Sequence, residues 1–77
     1  MSIEQCAKVF AIKYVYDLNS FKSNERMRRE LTEIRIKYSG NKEFDGLFDR
    51  YIEELSRKEE TPMWARQLMA ERYRIYL

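Results

Sequence analysis

The sequence predicts an all-α fold, a compact bundle of four short helices in a single domain spanning residues 1–77. Apolar side chains recur at spacings of three and four residues in four separate stretches, as amphipathic helices require. Only two glycines and one proline interrupt the chain, and the stretches between the apolar patterns are short, which favours antiparallel neighbours. A composition of 44% hydrophobic and 36% charged residues is typical of a folded domain.

The first helix is predicted over 2–18, with Ser2 as its N-cap. Its apolar stripe consists of Ile3, Ala7, Phe10, Tyr14 and Leu18, and Cys6, Val9, Ala11, Ile12, Val15 and Tyr16 widen it. A helix that is apolar on nearly every side has to be surrounded, so we expect it to be the most buried of the four. A strand over 9–16 is the alternative, because this stretch is rich in β-branched and aromatic residues. Both faces of such a strand would be apolar, with no second strand to pair with.

The second helix is predicted from its cap at Ser23 up to Ser39, where Gly40 suits the left-handed position that ends a helix. Its apolar positions have spacings of four, three and four: Met27, Leu31, Ile34 and Tyr38. Its opposite face carries charged side chains, and Arg29 is expected to pair with Glu33 one turn later, as Glu33 is with Lys37.

The third helix is predicted to begin after Asn41, which can cap it, and to end near Ser56. It has the clearest apolar stripe: Phe44, Leu47, Phe48, Tyr51, Ile52 and Leu55. Gly46 inside this helix should cost roughly 0.5–1 kcal/mol relative to alanine. That cost predicts that another backbone passes close to Gly46.

The fourth helix is predicted to begin at Thr61-Pro62, with threonine as N-cap and proline in the first helical position. Its apolar band consists of Met63, Trp64, Leu68, Met69, Tyr73 and Tyr76. Because the chain ends while still apolar, at Tyr76-Leu77, we expect this end to be docked.

The composition argues against an enzyme and against a cofactor or metal. The chain has no histidine, which removes imidazole catalysis and histidine metal ligands, and its single cysteine cannot build a structural zinc site. Cys6 is predicted to be a buried small hydrophobic residue. Asp45 and Asp49 share a helix face and could bind a cation, but a solvated outer face is the favoured interpretation. The lone cysteine and the lack of a long apolar run predict a cytoplasmic protein that does not cross a membrane.

The charge is unevenly distributed although the net charge is only +2. Residues 42–60 carry four basic and seven acidic side chains, whereas the other three segments are weakly basic. This pattern suggests helices that attract one another within the bundle or across a homodimer, which would bury the spare apolar surface of the first and last helices. A net charge of +2 is too small to indicate nucleic-acid binding by itself.

The excess of tyrosine and arginine predicts a non-enzymatic module that binds another protein, as an inhibitor, a regulator or an accessory subunit of the kind that phages and plasmids encode. Tyrosine, tryptophan and arginine are favoured at protein–protein interfaces. The candidate contact residues are Arg28, Arg29, Arg66, Tyr73, Arg74 and Tyr76. If the second and fourth helices were neighbours, the same basic residues could instead contact a phosphate backbone, so a nucleic-acid-binding protein is the alternative.

The fourth helix also carries a local family resemblance. Pro62-Met63-Trp64-Ala65-Arg66, followed by Glu71-Arg72, resembles the C-terminal helix of the small theta subunit of bacterial DNA polymerase III, with proline, arginine and Glu-Arg at matching spacing. The resemblance covers this helix and no other part of the chain. It implies a non-catalytic accessory subunit that docks on an exonuclease subunit.

Overall fold

The computed structural model describes residues 2–16, 25–57 and 60–72, apart from the side chains of Met27 and Arg72. These residues form four helices, α1 (Ile3–Tyr16), α2 (Glu25–Lys37), α3 (Lys42–Ser56) and α4 (Met63–Arg72). No described residue lies in a strand. The all-α prediction is therefore confirmed, and the alternative of a strand over 9–16 is wrong.

Helix α1 lies at the centre of the arrangement. It packs most extensively against α3, and it also packs against α2 and α4. The buried side chains that form the core are Cys6, Ala7, Val9, Ala11, Ile12, Ile34, Phe44, Tyr51, Leu55, Ala65, Leu68 and Met69. Five of these twelve described core residues come from α1. The Cα radius of gyration, 11.9 Å, is that of a compact chain of this length, for which about 11–12 Å is expected.

Three helix ends are capped by the residues that the sequence predicts. The Ser2 hydroxyl oxygen accepts a hydrogen bond from the backbone N–H of Gln5 at 3.1 Å, and the Asn41 side-chain oxygen accepts one from the N–H of Phe44 at 3.0 Å. Each bond satisfies a backbone donor that has no partner within its helix. Gly40 has a φ of +75°, the left-handed conformation expected at the end of α2.

The start of α4 differs slightly from the prediction. The carbonyl of Pro62 accepts hydrogen bonds from the N–H groups of Ala65 and Arg66 at 3.0 and 3.1 Å. Pro62 therefore precedes the first helical residue, and the helix begins one residue later than expected. Met63, predicted to belong to the apolar band, is 66% exposed because it lies at this first turn, while Ala65, Leu68 and Met69 are buried.

The prediction that another backbone passes close to Gly46 is wrong. A Cβ placed on Gly46 would meet no atom within 4 Å. Gly46 is exposed, and because it follows Phe44 by two residues it lies on the opposite side of α3 from the stripe that packs on α1. No packing contact at Gly46 therefore offsets the conformational cost of a glycine inside the helix.

The predicted ion pair on the second helix is also different. Arg29 pairs with Glu25, one turn before it, at 3.4 Å, and not with Glu33. Glu25 and Glu33 each lie four residues from Arg29, so spacing alone did not distinguish the two pairs. Both partners are exposed, and a pair of this kind contributes at most about 1 kcal/mol.

Candidate functional site

An open groove lies between α1 and α2. The described residues that line it are Phe10, Lys13 and Tyr14 from α1, and Arg28, Leu31, Thr32 and Arg35 from α2. Its volume is about 310 Å³. This is near the lower end of the range for small-molecule sites, and it suits one or two large side chains better than a large ligand.

The helical periodicity explains why these residues meet. Arg28, Thr32 and Arg35 follow one another at spacings of four and three residues, so they share one face of α2. Arg35 follows Arg28 by seven positions, which places their backbones about 10 Å apart along the helix axis. The same spacing brings Lys13 and Tyr14 of α1 one turn beyond Phe10.

The floor of the groove is continuous with the aromatic part of the core. The Phe10 ring meets Phe44 and Phe48 edge-on, with centroid distances of 6.0 and 5.8 Å. Tyr14 meets Phe48 edge-on at 5.7 Å, although 67% of Tyr14 is exposed. Aromatic pairs in this geometry add roughly 0.5–1.5 kcal/mol beyond burial of their area. The floor is therefore held in place before anything binds.

The groove brings together three cations that have no carboxylate partner among the described residues. Lys13, Arg28 and Arg35 form no ion pair with any described residue, and no described lining residue is acidic. Of the five arginines outside the groove whose side chains are described, all but Arg26 have a carboxylate within 4.0 Å: Arg29, Arg50, Arg57 and Arg66. The groove consequently favours a ligand that brings negative charge.

The Thr32 hydroxyl, which belongs to the lining of the groove, already has a hydrogen-bond partner. The Thr32 hydroxyl donates a hydrogen bond to the carbonyl of Arg28 at 2.9 Å, one turn earlier in the same helix. This bond engages the hydroxyl hydrogen within α2. Apart from the cations, the lining is mainly apolar, with Phe10 and Leu31 among its members.

Of the three predicted contact residues that the structure describes, only Arg28 lies in the groove. Arg29 is on the solvent side of α2, paired with Glu25, and Arg66 is on α4, with Glu60 at 4.0 Å. Tyr73, Arg74 and Tyr76 lie outside the described residues. Helices α2 and α4 each pack chiefly on α1 rather than on each other, so the structure gives no support for one basic face made by these two helices.

Sequence reasoning missed Lys13, Tyr14 and Arg35 as members of a site. The available signal was the spacing of seven between Arg28 and Arg35, with Leu31 between them. That spacing places Arg28, Leu31 and Arg35 on one face of α2, but it does not show that this face adjoins the end of α1.

A second polar cluster fastens α4 to the rest of the bundle. The indole N–H of Trp64 donates to Glu54 Oε2 at 3.0 Å, and Lys8 Nζ lies 5.5 and 5.7 Å from the ring centroids of Tyr51 and Trp64. Burial, and secondarily the charge of Glu4, raises the pKa of the Tyr51 hydroxyl. Because the charged groups here already have partners, this cluster fits a structural fastening rather than a ligand site.

Cys6, Asp45 and Asp49, which the sequence offered as candidates for chemistry, lie where they were expected. Cys6 is 4% exposed, which confirms it as a small buried hydrophobic residue. Asp45 and Asp49 are exposed on α3, as expected. In the described part of the chain, no group of three or more histidine, cysteine, aspartate or glutamate side chains could hold a metal ion. None of the helices within 2–16, 25–57 and 60–72 has the length and hydropathy to span a bilayer.

Comparison of the chain with protein families, with curated proteins and with solved structures gave no match. The resemblance to the polymerase theta subunit therefore depends on the residues of the fourth helix alone.

Proposed function

We propose that this protein is a small non-enzymatic module that binds another protein through the groove between α1 and α2, as an inhibitor, regulator or accessory subunit. The observation that carries the proposal is an exposed aromatic floor, anchored in the core and flanked by three cations that no carboxylate of the described residues neutralises. Tryptophan, tyrosine and arginine are enriched among the residues that supply most of the binding free energy at protein interfaces, and the aromatic rings bury large areas while losing few rotamers.

The surface beside the groove extends the proposed contact. Ile36 is 71% exposed and lies one turn after Thr32 on α2. A stable interface needs about 800 Å² from each partner, more than the groove alone provides. A partner that covered Ile36 together with the groove would bury a larger apolar area and add to the hydrophobic stabilisation of the complex.

The distribution of charge favours a protein over a nucleic acid. Exposed carboxylates lie on α2 at Glu25 and Glu33, and on α3 at Glu43, Asp45 and Asp49. A phosphate backbone several nucleotides long would approach some of these groups and be repelled. A short acidic segment of a protein could contact the three cations of the groove without leaving it.

The experiment is a quantitative capture from a nuclease-treated lysate of the source organism. It compares the wild-type protein with Arg28→Glu/Arg35→Glu and with a control, Arg57→Glu/Arg66→Glu, whose exposed arginines lie outside the groove. The proposal expects a protein that the wild type and the control retain and the groove variant loses. Retention of the same protein by all three, or recovery of nucleic acid alone when the nuclease is omitted, would contradict it.

A further inference from the structure

We infer that the groove accepts an acidic segment of the partner in which one large apolar side chain is flanked on both sides by carboxylates. The inference deepens the proposed function, on which it rests, by naming the chemistry of what the groove binds. It depends on the match between the volume of the groove, its charge and the order in which its residues follow one another.

The centre of the groove calls for an apolar anchor. Leu31 and Phe10 belong to its lining, and the Thr32 hydroxyl donates to the Arg28 carbonyl. An aromatic or large aliphatic side chain placed there would remove apolar surface from water. It would pack on Phe10 and Tyr14, whose rings are already held by Phe48.

The cations at the two ends of the groove suit carboxylates of the bound segment. Arg28 and Arg35 stand on either side of Leu31, roughly 10 Å apart along α2, and Lys13 faces them from α1. Arginine binds carboxylates in a bidentate manner, through two parallel hydrogen bonds. About three residues of extended chain, or seven of helix, span the distance between the two arginines. The acidic residues are therefore expected close to the anchor, before and after it.

A defined peptide tests the inference. The probe is an acetylated, fluorescein-labelled peptide with Leu-Phe between two Glu-Glu pairs, and binding is measured by fluorescence anisotropy. Two control peptides replace every glutamate with glutamine, or the Leu-Phe anchor with Ala-Ala. Each control is expected to bind about tenfold more weakly or worse, because charge-assisted hydrogen bonds and a buried aromatic side chain each contribute at this level. Equal binding of the probe and the glutamine peptide would overturn the inference.

Protein variants locate the binding. Arg28→Glu/Arg35→Glu should weaken the probe at least tenfold, and Arg57→Glu/Arg66→Glu should change it by no more than about twofold. If charge reversal alters the circular dichroism spectrum, the milder variant Arg28→Gln/Arg35→Gln replaces it in the binding measurement. This variant should still weaken binding of the probe severalfold. Unchanged affinity in the variant that folds would overturn the inference. So would an eight-nucleotide oligothymidine that binds more tightly than the probe and displaces it, since that would assign the groove to a phosphate backbone.

Failure of the inference is distinguishable from failure of the proposed function. If the groove variant loses the captured protein but the probe does not bind the wild type, the protein-binding proposal stands and the acidic segment is wrong. If the probe binds in the groove but the variant still retains every captured protein, the ligand chemistry stands and the groove is not the face that holds the partner.

Discussion

The indole N–H of Trp64 donates a hydrogen bond of 3.0 Å to the carboxylate of Glu54 and so ties α4 to α3. The contact joins residues ten positions apart, across the connection between the two helices. The Trp64 ring also meets Tyr51, with a centroid distance of 5.1 Å. Because α4 is only ten residues long and would be marginal as an isolated helix, such contacts are what hold it in place.

Trp64→Phe should lower the free energy of unfolding by about 1–2 kcal/mol, because the aromatic ring remains while the donor to a charged acceptor is lost. Urea denaturation followed by circular dichroism measures the change. Glu53→Gln is the control, since Glu53 is exposed on α3 next to Glu54 and its pair with Arg57 spans 3.9 Å. That control should change stability by less than about 0.5 kcal/mol. A Trp64→Phe protein as stable as the wild type would contradict the fastening role of this bond.

The two glycines should respond to alanine in opposite directions. Gly46→Ala should stabilise the protein by roughly 0.5–1 kcal/mol, because Gly46 is exposed inside a helix and its Cβ position is open. Gly40→Ala should destabilise it by about 1–2 kcal/mol, because Gly40 has a φ of +75°. Thermal unfolding of both variants beside the wild type checks the pair. Destabilisation by Gly46→Ala would mean that the outer face of α3 is covered in solution.

The centre of α1 should be far more sensitive than the surface of α2 to the same chemical change. Ile12 is fully buried and Ile36 is 71% exposed. Ile12→Val should lower the free energy of unfolding by about 0.5–1.5 kcal/mol, since it removes a buried methylene and leaves a void. Ile36→Val should leave stability within about 0.5 kcal/mol of the wild type. Equal effects of the two substitutions, measured by urea denaturation, would show that α1 is not enclosed as described.

Stability should fall in alkaline solution through Tyr51. Burial, followed by the charge of Glu4, raises the pKa of its hydroxyl above the ordinary 10.0. The folded protein therefore keeps this proton at pH values where the unfolded chain has lost it. The resulting contribution to stability is complete below the ordinary pKa and is lost as the pH rises through the folded-state pKa.

Tyr51→Phe removes the ionisable group, so the stability of the variant should fall less steeply above pH 10.0 than that of the wild type. The measurement is the free energy of unfolding of both proteins on either side of that pH. Parallel profiles for the two proteins would contradict the raised pKa.

Much of the fold could be predicted from the sequence because the relevant signals are local. The apolar periodicity gave four helices, and the caps at Ser2 and Asn41 depend on residues three positions apart. Gly46 shows where local reasoning fails, because its cost is evident from residue type whereas its surroundings depend on how α3 is turned towards α1.

The candidate site was less predictable because it is made by two helices. The basic residues of the second and fourth helices look alike in sequence, and only the packing shows that both helices lie on α1. Arg28 was predicted as a contact residue because of its residue type. Lys13 and Arg35 became candidates only because the structure places them in the same groove. Spacing likewise does not settle which carboxylate each arginine meets, since Arg29 pairs with Glu25 rather than Glu33, and Arg66 lies 4.0 Å from Glu60.

The most direct test of the groove as the binding face is a ¹H–¹⁵N chemical-shift titration of the labelled protein with the captured partner. The largest shifts are expected at Lys13 and Tyr14 on α1 and at Leu31, Thr32 and Arg35 on α2. Shifts confined to α4, with those five amides unmoved, would contradict the groove and place the contact on the last helix.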